Sequence, residues 1–123
     1  MTCILIVDDS AAIRQGLRSL VEQQSDWKVC GEAENGRDGV DQAKRLHPDL
    51  ILLDQSMPVM TGLEAARELR QIMPRVPLVM FTMFKSPFFE REAHAAGVSV
   101  VKSKSDDVQS LCASMQELLE SAA

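Results

Sequence analysis

The stretch Leu50-Ile51-Leu52-Leu53-Asp54-Gln55-Ser56-Met57-Pro58-Val59-Met60-Thr61-Gly62 decides the fold. Four consecutive aliphatic residues leave no polar face, so this run reads as a strand covered on both sides. That is the environment of a parallel sheet between two layers of helices. The run stops at Asp54, and a loop from Gln55 to Gly62 follows. Within it, Pro58 stiffens the chain and Gly62 permits a turn into the next helix.

Reading outward, the same alternation recurs. Upstream, Cys3 to Val7 is a short apolar run that ends at Asp8-Asp9-Ser10. Ile13, Leu17, Leu20 and Val21 then repeat at helical spacing. Trp27 to Gly31 reads as a second strand, and Glu34-Asn35-Gly36 as a turn. Val40, Ala43 and Leu46 mark a second helix that His47-Pro48 ends. Downstream, Leu63, Ala66, Leu69 and Ile72 form the apolar face of a third helix. Leu78 to Phe81 is a fourth strand ending at Thr82. Pro87 opens a fourth helix and Gly97 closes it, and Val98 to Ser103 is a fifth strand. Ser105 or Asp106 is the expected cap of a last helix, whose apolar face is Val108, Leu111, Cys112, Met115, Leu118 and Leu119. The order is βα five times over, which implies a doubly wound, five-stranded parallel α/β sheet with short right-handed connections.

Composition narrows the function. At 123 residues and 46% apolar, the chain suits one domain over residues 1–123. A formal net charge of −5 without a basic run argues against nucleic-acid binding. No apolar stretch approaches a membrane span, and the N-terminus lacks a signal-peptide layout, so the expectation is a cytoplasmic protein. Cys3, Cys30 and Cys112 are odd in number and form no CxxC pair. They read as three small buried apolar residues in a reducing compartment.

In open α/β sheets the site lies beyond the carboxyl ends of the strands. Asp8 and Asp9 follow the first strand, Asp54 the third and Thr82 the fourth, and Lys102 and Lys104 stand at the end of the fifth. Taken singly, each has an ordinary role as a turn, cap or solvated residue. Together they bring carboxylates, a hydroxyl and an ammonium to one edge. Three clustered carboxylates repel, and one is expected to titrate high. A divalent cation relieves that repulsion, and an all-oxygen donor set suits Mg²⁺, with Mn²⁺ as the alternative. His47 and His94 are isolated, so nothing suits zinc.

Ile6-Val7-Asp8-Asp9-Ser10, the run from Leu52 to Gly62, and Phe81-Thr82-Met83 resemble the receiver domains of two-component response regulators. The resemblance covers essentially the whole chain and implies a flavodoxin-like fold with strand order 2-1-3-4-5. It implies that Asp54 is the phosphoacceptor, taking its phosphoryl group from a sensor histidine kinase or a phosphotransfer protein. Asp8, Asp9, Asp54 and the Ser56 backbone carbonyl would hold Mg²⁺. Thr82 would hydrogen-bond a phosphoryl oxygen, and a lysine would balance the remaining charge. Aligning Ala96-Gly97 and Ser105-Asp106 to the family pattern needs no gap if that lysine is Lys104, whereas Lys102 requires a two-residue deletion. In an extended strand both would face the same way.

The chain departs from the family where a Tyr or Phe usually precedes this lysine by three residues. Here Val101 stands instead, and Ser105 replaces a common proline. Val101 has neither a ring nor a hydroxyl, so the output is expected to run through backbone shifts after Thr82. It would reach a downstream protein or a second copy through the face of helix four, strand five and helix five. Phe88 and Phe89 lie there side by side, about 100° apart on the helix. The domain is expected to act only on itself, in phosphorylation and dephosphorylation. A haloacid-dehalogenase-type phosphatase needs Asp-x-Asp after the first strand, and Asp8-Asp9 lacks that spacing. A dinucleotide-binding domain lacks support, since no glycine fingerprint follows that strand.

Overall fold

In the computed structural model, residues 1–83 and 85–122 are described. Phe84, in the loop expected after Thr82, and Ala123, at the end of the expected last helix, lie outside the described residues. The elements alternate as β1 (Thr2–Val7), α1 (Ala11–Glu22), β2 (Trp27–Ala33), α2 (Gly36–Leu46), β3 (Leu50–Leu53), α3 (Gly62–Ile72), β4 (Leu78–Thr82), α4 (Pro87–Ala95), β5 (Val100–Ser103) and α5 (Val108–Ala122). The strands form one sheet in the order β2-β1-β3-β4-β5, and every pairing is parallel.

Side chains alternate across a strand, and this divides the core in two. Ile4, Ile6, Leu50, Leu52, Val79 and Phe81 meet Leu17 and Val21 of α1 and Leu111 and Met115 of α5. On the other face Leu5, Val7, Ile51, Leu53, Leu78 and Met80 meet Val40 of α2, Leu69 of α3 and Ala93 of α4. All four residues of β3 are at most 1% exposed, so burial of each is worth about 1.5–3 kcal/mol.

The helix ends follow local chemistry. Ser10, Asn35, Thr61 and Ser86 cap α1 to α4, each accepting the amide three residues on. Thr61 and Glu64 complete a capping box. α2 ends as His47 turns left-handed at φ 51°, ahead of Pro48. For α5 the expected caps do not serve. Ser103 and Asp106 bond each other, and Asp107 instead takes the amides of Gln109, Ser110 and Leu111. A four-residue turn after Ser103 thus consumes the polar groups nearest the strand. Ile72, expected on the apolar face of α3, is 45% exposed because the helix ends there. β2 runs on to Ala33, beyond Gly31, because the edge strand follows β1 to its end.

The cysteine reading is corrected. Cys3 and Cys30 form a disulfide with Cα atoms 5.4 Å apart, and Cys112 is the free cysteine. The pairing register of β1 and β2 shifts between Ile4 and Leu5, where Cys30 is the extra residue. A bulge of this kind brings together cysteines that a sequence separation of 27 conceals. The cysteines therefore lend no support to a reducing compartment. Among the described residues, no helix is long and apolar enough to cross a membrane.

Candidate functional site: an acidic cluster at the strand ends

β1 and β3 are neighbours, and their backbones carry Asp8 and Asp54 to the same edge. The Asp54 amide donates to the Val7 carbonyl at 2.9 Å, and the Asp8 amide to the Ala33 carbonyl at 3.0 Å. Both residues thus continue the ladder just past the strands, and both are buried, at 2% and 5% exposure. Asp9 is exposed. One carboxylate oxygen from each of Asp8, Asp9 and Asp54 lies within 4.8 Å of the others.

Lys104 enters this cluster. Its Nζ donates to Asp8 Oδ2 at 2.8 Å and lies 3.3 Å from Asp54 Oδ2, and its side chain is 10% exposed. Its backbone amide donates to the Thr82 carbonyl at 2.8 Å, fixing it to the end of β4. Asp8 Oδ1 accepts the Ser10 amide at 2.9 Å, so both Asp8 oxygens are engaged. Lys102 goes elsewhere: its Nζ donates to Ser110 Oγ at 2.8 Å, on α5. The expectation that both lysines share a direction fails because β5 ends at Ser103, which leaves Lys104 in the following turn.

Charges follow from this packing. Burial pushes the Asp54 carboxyl above its ordinary range, and the Asp8 charge pushes the same way, while Lys104 opposes both. For Lys104, burial disfavours the charge, but the hydrogen bond to Asp8 and the fields of Asp8 and Asp54 outweigh it and raise its pKa. Among the described residues, three carboxylates meet one ammonium, and the donors are all oxygens without His or Cys. Such a set fits a hard divalent cation.

The loop after β3 is shaped by strain. The Met60 amide donates to the Pro58 carbonyl at 2.7 Å across Val59, which sits at φ 70°. This tight turn is rare and costly for a β-branched residue. It leaves Val59 81% exposed and Met57 buried. Ser56 is exposed, two residues beyond Asp54. Gly62 has a sharper role than permitting a turn, since a Cβ there would strike the Asp54 carbonyl oxygen. Gln55 closes the loop: its carbonyl accepts the Gly62 amide at 3.0 Å and its side chain the Leu63 amide at 2.8 Å. Thr82 is fully buried at the end of β4. Val101 is buried too, paired with Met80. On α4, Phe89 packs inward and Phe88 is 65% exposed.

Two residues that bear on the site went unread in the sequence, Gln55 and Arg14. Arg14 donates to the Asp8 carbonyl at 2.7 Å. Its signal was a basic residue one turn beyond a helix cap that follows paired acids.

These features define a doubly wound α/β domain with an acidic, lysine-bearing cluster at the carboxyl edge of its sheet. Residues 4–119 match the response regulator receiver domain family, and the chain belongs to it: this is a receiver domain of the two-component type. Similar proteins include protein-glutamate methylesterase/protein-glutamine glutaminase 1 of Methanosarcina mazei, 47% identical over 78 residues, which are 63% of this chain and 22% of that protein. Transcriptional regulatory protein LnrK of Bacillus subtilis is 36% identical over 99 residues, 80% of this chain and 45% of its own. The crystal structure of a LuxR-family two-component response regulator from Aurantimonas sp. SI85-9A1 superposes with a TM-score of 0.93 at 30% identity, covering 98% of this chain and 87% of that one. The chain thus spans less than half the length of these two sequence relatives.

Proposed function

We propose that the domain is a phospho-switch in which Asp54 is the acceptor. An Asp54 carboxylate oxygen attacks the phosphorus of a phosphohistidine on a sensor kinase or phosphotransfer protein. The new P–O bond forms as the P–N bond breaks, and the histidine nitrogen departs with the bond's electron pair. Asp8, Asp9, Asp54 and the Ser56 carbonyl would hold Mg²⁺, whose charge offsets that of the phosphoryl group in transit. Lys104 supplies a point cation at the same place, and Thr82 donates its hydroxyl to a phosphoryl oxygen once transfer is complete. The domain would act on no other substrate. It would signal to a downstream protein or a second copy through α4, β5 and α5, where Phe88 is exposed.

The observation that carries this reading is Asp54 itself. It is a buried carboxylate at the end of the central strand, grouped with two further acids, and among the described residues a single ammonium, that of Lys104, is in contact. A purely structural aspartate would be matched by its partners, whereas this cluster keeps an excess of negative charge that suits a cation. The test is intact mass after incubation with Mg²⁺ and a small phosphodonor. One phosphoryl adduct is expected, absent without Mg²⁺ and absent in Asp54→Asn. An undiminished adduct in that variant would overturn the assignment.

A further inference from the structure

The geometry points to Arg14 as the positioning residue of the acidic loop; this rests on the reading of Asp8, Asp9 and Asp54 as a cation site. Arg14 lies four residues beyond the Ser10 cap, and its side chain reaches back over the first turn of α1, the direction helical side chains take. Its Nη1 donates to the Asp8 carbonyl at 2.7 Å and its Nε to Glu32 Oε1 at 3.0 Å. The other Glu32 oxygen accepts from Arg18 Nε at 2.8 Å and Nη2 at 2.6 Å. At 13% side-chain exposure, against 40% for Arg18, Arg14 is not an ordinary surface ion pair.

The consequence lies in one peptide plane. The Asp8 carbonyl and the Asp9 amide belong to the same rigid unit, so whatever fixes one orients the other. Asp8 is gripped twice from β2. Its amide goes to the Ala33 carbonyl, and its carbonyl is held through Arg14 by Glu32, the residue just before Ala33. Asp9 is exposed, and no hydrogen bond among the described residues holds its carboxylate, so its aim depends on that plane. Glu32 is shared between two guanidinium groups, but Arg14 Nη2 also lies 3.8 Å from Glu34 Oε1 and Arg18 also pairs with Glu22, so Arg14's charge is largely answered locally. Its contribution is therefore orientation. A lysine would keep the charge but could not serve the Asp8 carbonyl and Glu32 with one planar fork.

Groups that orient metal ligands from behind typically alter affinity by about 10–100-fold. Calorimetric titration of Mg²⁺ into the metal-free protein is expected to show about tenfold weaker binding in Arg14→Ala. Arg14→Lys should fall between that variant and wild type. Amide exchange at Asp9 and Ser10 should quicken in both variants before any metal is added. Glu32→Ala, which removes the acceptor of Arg14 Nε and leaves only the exposed Glu34 3.8 Å from Nη2, should shift affinity in the same direction and serves if Arg14→Ala does not fold. A role confined to stability would lower the melting temperature and leave the affinity alone. Arg14→Ala and Glu32→Ala both binding Mg²⁺ within twofold of wild type would overturn the assignment while the cation site stood. Wild-type protein that binds no Mg²⁺ would overturn the site and Arg14's role together.

Discussion

Removing Lys104 tests the electrostatic argument most directly. In Lys104→Ala, Asp8 and Asp54, buried at 2% and 5% exposure, lose the ammonium 2.8 and 3.3 Å away. Taking one partner from a buried ion pair generally costs about 3–5 kcal/mol, because the charge left behind is uncompensated. The lower end applies here. Asp54 already titrates above its ordinary range and can take up a proton, and Asp8 keeps the Ser10 amide. The expected loss is about 3 kcal/mol at neutral pH without metal. Mg²⁺ neutralises the same carboxylates and should bind the variant more tightly than wild type, so saturating metal should at least halve the difference. Lys102→Ala, which loses only an exposed bond to Ser110, should stay within about 0.5 kcal/mol of wild type. Urea unfolding followed by Trp27 fluorescence measures all of this. Trp27 is buried at the start of β2, away from the strand ends that carry the site, so it reports global unfolding. A metal-free loss below about 1 kcal/mol, or one that Mg²⁺ leaves unchanged, would refute the reasoning.

Further outcomes are expected. The raised pKa of Asp54 means that protons compete with the cation, so Mg²⁺ affinity should fall as pH drops through that value; calorimetry across pH should show this. By the same sign, the stability that Asp54 contributes to the metal-free protein is present at low pH and lost as pH rises through its folded pKa, and Asp54→Asn should abolish that slope. Gly62→Ala drives a Cβ into the Asp54 carbonyl and should cost about 2–3 kcal/mol by urea unfolding. Gly16→Ala meets nothing within 4 Å on α1 and should instead gain about 0.5–1 kcal/mol. Val59→Gly relieves a left-handed β-branched residue at little loss of burial, and should raise stability by about 1 kcal/mol.

The alternation of apolar runs with helical spacing carried the fold, because a doubly covered strand such as Leu50–Leu53 tolerates no polar residue. Strand order came from the family resemblance, since periodicity within an element says nothing about which neighbour it pairs with. The acids after β1 and β3 were legible because the carboxyl edge of such a sheet gathers whatever follows its strands. The lysine was open in the residues alone and turned on where β5 stops, a boundary that Lys102-Ser103-Lys104 does not announce. Arg14 and Gln55 went unread because the groups through which they reach the site loops, the Asp8 carbonyl and the Gly62 and Leu63 amides, are backbone groups, which every sequence position possesses. The Cys3–Cys30 bond depends on a register shift at Ile4/Leu5, a feature of strand pairing and not of either strand.

That bond has a topological consequence. It closes the chain from residue 3 to residue 30 into a covalent ring that threads β1, α1 and the start of β2, with Asp8, Asp9 and Arg14 inside it. A single peptide cut within the ring releases no fragment. If the remaining strands open, the acidic loop stays tethered to the edge strand from which it is oriented. Constraining the unfolded chain in this way is worth about 3–4 kcal/mol by loop entropy. Thiol reductants remove that constraint without altering a single residue. The same sequence can therefore take two chain topologies, a lariat with the bond formed and a line once it is reduced, and the ambient redox poise would decide between them.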